Sequence, residues 1–216
     1  MNLLEVLSGT QDRDEARGRS YGVVVGIVSN NQDPDGLGRV KVSFPWLAKT
    51  GESNWARVAS PMAGSDRGIS FLPDVDDEVL VAFEHGDPRS PYVLGALWNG
   101  VDKPPAEKSG DNDNNRRVIK SRSKHRIVLD DTPGSEMIEI VDKTGNNKIT
   151  IDSGANKLTL QVDGDIELKA ANGKIVLDAQ SVEITSAGQT KIAASSSMDI
   201  KASQTLTVKG ATVNIN

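Results

Sequence analysis

The stretch "KITIDSGANKLTLQVDGDIELKAANGKIVLD", residues 148–178, decides the fold. Apolar residues come in pairs separated by one residue: Ile149/Ile151, Leu158/Leu160, Ile166/Leu168 and Ile175/Leu177. The beat continues through Val182/Ile184, Leu206/Val208 and Val213/Ile215, with weaker members at Ile192 and Met198/Ile200. Successive second members lie seven to nine residues apart, from Ile151 to Ile215. The residue between them is polar in most pairs, as at Thr150, Thr159, Glu167, Glu183, Thr207 and Asn214. This two-residue period is that of a strand with one buried face. Between the beats stand Asp-Ser-Gly-Ala-Asn, Asp-Gly and Ala-Asn-Gly, residues that favour turns. Gly154, Gly164, Gly173 and Gly188 are expected to supply the corners with backbone angles open only to glycine.

An array of short strands belongs to a solenoid or fibre, in which each repeat packs on its neighbours. One chain has little with which to fill such a core, because no aromatic residue follows Trp98. Three chains wound about one axis pool their thin stripes and pair every strand edge, which removes open edges. With strands stacked at roughly 4.8 Å, the nine beats make a rod on the order of 40 Å long. The expected assembly is a homotrimeric β-prism. Its trimer core is Ile149, Ile151, Leu158, Leu160, Ile166, Leu168, Ile175, Leu177, Val182, Ile184, Ile192, Ile200, Leu206, Val208, Val213 and Ile215.

The composition changes along the chain. All the aromatic residues of this 216-residue sequence fall between Tyr21 and Trp98, and eight of nine prolines precede Ala106. The formal net charge is −5, and there is no cysteine. Disulfides and thiolate metal sites are thereby excluded, and assembly in a reducing cytoplasm is expected. The N-terminal sequence lacks the basic start and apolar core of a secretory signal. No apolar run reaches the 18 or so residues of a membrane-spanning helix.

Residues 1–20 read either as a frayed tail or as a docking tail for a partner, with Leu3, Leu4, Val6 and Leu7 as its apolar contact. Residues 21–100 predict five strands: Tyr21–Ser29, Arg39–Phe44, Trp55–Ser60, Glu78–Phe83 and Tyr92–Trp98. Asp33-Pro34-Asp35-Gly36 and His85-Gly86-Asp87-Pro88 are turns between them. Five short strands without a helix imply an OB-type barrel, with an SH3-like barrel as the alternative. Residues 101–117 predict a linker, and 118–216 the rod. Arg116, Arg117, Lys120, Arg122, Lys124 and Arg126 place a basic collar at the top of the rod, facing the acidic run Asp74–Glu78.

The segments "YGVVVGIVSNNQDPDGLGRVKVSFPWL" (21–47), "FLPDVDDEVLVAFEHGDPRSPYVLGALWN" (71–99) and the neck from Ser121 to Asp152 resemble the central spike family of contractile injection machines. That family includes the phage baseplate spike and the valine–glycine repeat spike of type VI secretion. The resemblance implies an OB barrel followed by an intertwined triple-stranded β-helix. It also implies a part that is assembled in the cytoplasm, pierces the target membrane when the sheath contracts, and is delivered outside the cell. About twenty residues precede the barrel, where large members carry a hub domain. A separate hub protein is therefore expected to hold the spike. No lysozyme domain separates barrel and rod, and no His-x-His iron apex closes the sequence. A conical PAAR-type tip protein is expected on a platform of Val213, Asn214, Ile215 and Asn216.

No catalytic constellation competes with this structural role. His85 beside Glu84 and Asp87 offers an acid–base or metal site, but a polar hairpin tip accounts for it. His125 has no acidic neighbour before Asp130. Asp74, Asp76, Asp77 and Glu78 lack the spacing of a calcium loop. No nucleophile elbow or phosphate-cradling loop is present. The expectation is a protein that is not an enzyme and uses no metal or cofactor. Two other classes remain open. An OB fold that binds single-stranded nucleic acid needs interleaved basic and aromatic strand residues, which the sequence lacks. A β-helical adhesin needs an export signal.

Overall fold

The computed structural model describes residues 18–46, 51–108 and 113–215. The chain divides into two compact units, Met1–Gly164 and Asp165–Asn216.

The first unit begins with β1 (Val23–Asn30) and β2 (Arg39–Ser43), followed by β3 (Ala56–Val58). A two-residue ladder, β4 (Ala63–Gly64) with β5 (Arg67–Gly68), precedes β6 (Glu78–Phe83) and β7 (Pro91–Ala96). Five of these strands close a barrel in the order β1-β2-β3-β7-β6, antiparallel except for the parallel β3–β7 pair. Alternation explains the closure: Val40 and Val42 point inward from β2, with Phe44 just beyond its end, and Val79, Val81 and Phe83 from β6. Val28, Ala56 and Val93 complete the core. All five expected barrel strands are present, and the fold is all-β.

The β1–β2 connection is built on Asp33. Its carboxylate accepts from the amides of Leu37 (3.0 Å) and Arg39 (3.2 Å), and from the Arg39 guanidinium at 2.9 and 2.7 Å. That guanidinium holds the Asp33 carboxyl far below the usual carboxylate range, against the opposing effect of burial. Gly36 and Gly38, at φ +66° and +67°, let the chain turn tightly around it. On the β6–β7 connection, His85 sits at φ 48° in a polar turn, and its carbonyl accepts from Arg19. This is the hairpin tip expected from the sequence.

Beyond the linker come β8 (Arg116–Lys120), β9 (Arg126–Asp130), β10 (Met137–Val141), β11 (Lys148–Asp152) and β12 (Lys157–Gln161). They form one antiparallel meander in the order β12-β11-β10-β9-β8. The loops between these strands, such as 131–136 and 142–147, are long enough to reverse the chain. The first stripe pairs, Ile149/Ile151 and Leu158/Leu160, therefore pair with strands of their own chain.

The second unit differs. Among the described residues, 165–215 contain no strand laddered to another within the chain. Every residue of this segment is exposed.

The glycine corners need correction. Gly154, Gly164, Gly173 and Gly188 do not adopt positive φ; in the 153–156 turn that role falls to Asn156, at φ 50°. Gly154 is small for another reason. A Cβ there would stand 3.2 Å from the Gly134 carbonyl oxygen, so two turns approach each other closely.

Candidate functional site: an exposed aliphatic sheet face

Register aligns the meander's side chains into rows that cross all five strands. One row is Ile119, Ile127, Ile140, Ile149 and Leu160; the next is Arg117, Leu129, Ile138, Ile151 and Leu158. Side chains directly opposite in a ladder share a face. Nine aliphatic residues thus lie on one surface, and their exposures run from 38% at Ile127 to 63% at Leu158.

Val128 and Val141 are buried on the opposite face, yet the aliphatic rows are left exposed beside more sheltered polar residues. On β10, Ile138 and Ile140 are exposed while Glu139 between them is half-buried. On β11 and β12, Thr150 and Thr159 are likewise more sheltered than the Ile and Leu beside them. A sheet that ends at its own surface places the polar set outward. An exposed, contiguous aliphatic face of this kind marks an interaction surface. Covering these nine side chains is worth on the order of 10 kcal/mol per chain before association costs.

The same condition extends through the second unit. Ile166, Leu168, Ile175, Leu177, Val182, Ile184, Ile192, Ile200, Leu206, Val208, Val213 and Ile215 are all exposed, Leu168 by 68%. Every expected core position from Ile149 to Ile215 is thus uncovered in one chain. Ile119, Ile127, Leu129, Ile138 and Ile140 were absent from that expected set, although Ile127/Leu129 and Ile138/Ile140 carry the same alternation. Val213, Asn214 and Ile215 are exposed, and Asn216 lies outside the described residues. Leu3, Leu4, Val6 and Leu7 lie outside them too.

The turn after β10 is organised by one carboxylate. Asp142 accepts from the Thr144 hydroxyl (2.8 Å), the Gly145 amide (3.0 Å) and the Asn147 side-chain amide (3.0 Å). Asn146 and Asn147 then clasp Asp163, at 2.6 and 3.0 Å, where the chain leaves β12. The Thr144 hydroxyl, helped by Asn147 and Gly145, lowers the Asp142 pKa from 3.8 to about 2. Folding favours the charged carboxylate. Its contribution is therefore complete above the ordinary value and fades as pH falls towards 2. An NMR titration should find the Asp142 midpoint near 2, with loss of the Thr144 and Gly145 amide shifts over the same range. A midpoint at the ordinary carboxylate value contradicts this account.

Of the basic collar, Arg122 lies 3.4 Å from Asp74, whereas Arg116 and Arg117 pair with Asp130 and Asp131, and Lys120 and Arg126 face Glu107. Arg122 and Asp74 are both exposed, so their pair adds little stability. The barrel exterior brings a correction. Arg39 and Lys41 lie over the Trp55 ring at 5.9 and 5.5 Å, and Arg57 over Tyr92 at 5.8 Å. Basic and aromatic residues do interleave on the β2–β3–β7 face. The pairs arise from register between distant strands, Arg39 opposite Arg57 and Arg57 opposite Tyr92, so no local pattern reveals them. Arg39 is bonded to Asp33 and Asp35, and Lys41 to Glu52, so two of these cations are neutralised locally. Among the described residues, no group of three His, Asp or Glu side chains is arranged to hold a metal ion. No helix among them is long and apolar enough to cross a membrane.

Residues 24–98 match the family described as the type VI secretion system/phage-baseplate injector OB domain. The chain is 30% identical over 161 residues to the type VI secretion system spike protein VgrG1a of Pseudomonas aeruginosa, covering 72% of this chain and 24% of that protein. It is 34% identical over 136 residues to VgrG5 of the same organism, covering 58% and 17%. It is also 30% identical over 136 residues to the spike protein VgrG3 of Vibrio cholerae, covering 58% and 13%. The chain spans about a quarter or less of the length of these relatives.

Proposed function

We propose, of a chain that belongs to the central spike family of contractile injection systems, that it is the trimeric shaft at the centre of the baseplate. The observation that carries this reading is the exposed aliphatic face of residues 116–161, continued by the uncovered stripe through Ile215. Three copies packed about one axis cover all these residues with identical partners. The strands of 165–215 then find between chains the hydrogen bonds that they lack within one, as a triple-stranded β-helix. Ile149 to Ile215 form its core, joined at the top by Ile119, Ile127, Leu129, Ile138 and Ile140.

The role is mechanical and needs no catalysis. A hub protein holds the barrel end, with Leu3, Leu4, Val6 and Leu7 as its contact. A PAAR-type tip protein sits on Val213, Asn214, Ile215 and Asn216. Contraction drives the shaft into the target membrane, and the closed prism resists bending because its backbone polar groups are paired. The particle is assembled in the cytoplasm and leaves the cell on firing.

Electron microscopy of the purified full chain tests this reading. Class averages should show a head with three-fold symmetry on a straight, narrow shaft. Particles with one barrel and no shaft contradict it.

A further inference from the structure

The segment that joins barrel to sheet is held at both ends. At its start, Asn99 Oδ1 accepts from the amides of Val101 (2.8 Å) and Asp102 (2.6 Å). The Asn99 side-chain amide donates to Glu78 on β6 at 3.2 Å. At its end, a short 3-10 turn at Ala106–Lys108 presents Glu107 to the first hairpin of the sheet. The two Glu107 oxygens accept from Lys120 Nζ at 2.8 and 3.0 Å, and Oε1 lies 3.9 Å from Arg126 Nε. Between these anchors, Trp98, Pro104 and Pro105 line a cleft of about 290 Å³ together with Val118.

The hairpin itself explains why an anion is needed. Lys120 and Arg126 stand directly opposite each other in the β8–β9 ladder. Like charges at such a position repel and destabilise the pairing. Glu107 lies against both, and its side chain and that of Lys120 are about three-quarters sheltered, at 25% and 26% exposure. A partly sheltered, charge-assisted contact is stronger than an open surface pair.

We propose that Glu107 is a positioning residue. It latches the 99–108 segment onto the β8–β9 hairpin and makes that segment a strut between barrel and sheet instead of a slack tether. The latch stands on its own contacts, and its purpose rests on the spike reading: force applied to the barrel reaches the shaft without a hinge. The segment's Pro and Lys content reads as a linker because the latch is a contact between residues far apart in sequence.

Hydrogen exchange followed by mass spectrometry on the full chain tests the latch, using peptides that cover 99–108 and 116–126. Glu107→Gln should speed exchange in both by about tenfold, while the barrel strand 78–83 keeps its rate. The charge swap Glu107→Lys with Lys120→Glu should return both peptides towards the parent rate. Unchanged exchange in Glu107→Gln overturns the proposal, as does equal acceleration of the 78–83 peptide. Failure of the swap to restore protection also overturns it, because charge pairing is then not the cause. A parent chain that is monomeric would remove the spike reading while leaving the latch result intact.

Discussion

Leu168→Asp should leave the chain unable to assemble while its barrel folds normally. In a single chain Leu168 is 68% exposed, so the substitution removes no contact and an ordinary surface cost of under about 0.5 kcal/mol is expected. In a three-chain prism the same change places three carboxylates in one dry layer. Each then carries a desolvation cost on the order of several kcal/mol, with no cation to meet it. Lys169→Glu, one residue along on the outward side of the alternation, is the control and should assemble. The check is oligomeric mass alongside circular dichroism of the barrel. A Leu168→Asp protein that still assembles removes Leu168 from the core.

Gly26→Ala should destabilise the barrel by about 2–3 kcal/mol and lower its melting temperature by about 10 °C or more. Gly26 lies inside β1, and a Cβ there overlaps Val42 Cγ1 and stands 3.2 Å from Phe44 Cε1. Val42 is fully buried and β-branched, so it has no free rotamer to take up. The double variant Gly26→Ala with Val42→Ala should recover part of the loss, because the second change vacates the overlapped space. Denaturant unfolding of the parent and both variants measures it. A Gly26→Ala barrel as stable as the parent contradicts the packing described for β1 against β2.

The barrel was legible because its strands state their own faces. Val40, Val42 and Phe44 alternate with Arg39, Lys41 and Ser43, and the first set is the buried one. The stripe from Ile149 to Ile215 shows the same strand-period alternation, but only Ile149, Ile151, Leu158 and Leu160 lie in strands. The local pattern does not say whether a strand's partner comes from the same chain or another. Ile149 and Ile151 ladder to Ile140 and Ile138 of their own chain, whereas Ile166 and Leu168 have no ladder within it. The difference lies in the connections, since 142–147 forms a full reversal around Asp142 and the turns after Gly164 are shorter. The Glu107 latch and the Arg57–Tyr92 pair were illegible because register between distant strands brings their members together. At Gly154 the glycine assignment failed because Asn156 took the left-handed turn position instead. Asparagine tolerates that region better than most side chains.

In the trimeric shaft, two further copies of the same chain cover the aliphatic face and the stripe. The solution mass of the purified full chain, from light scattering coupled to size exclusion, tests it most directly. The expected mass is three times 23.1 kDa, held on dilution. A clean 23.1 kDa monomer contradicts it, because nine exposed aliphatic side chains on one sheet and a stripe through Ile215 would then have no partner.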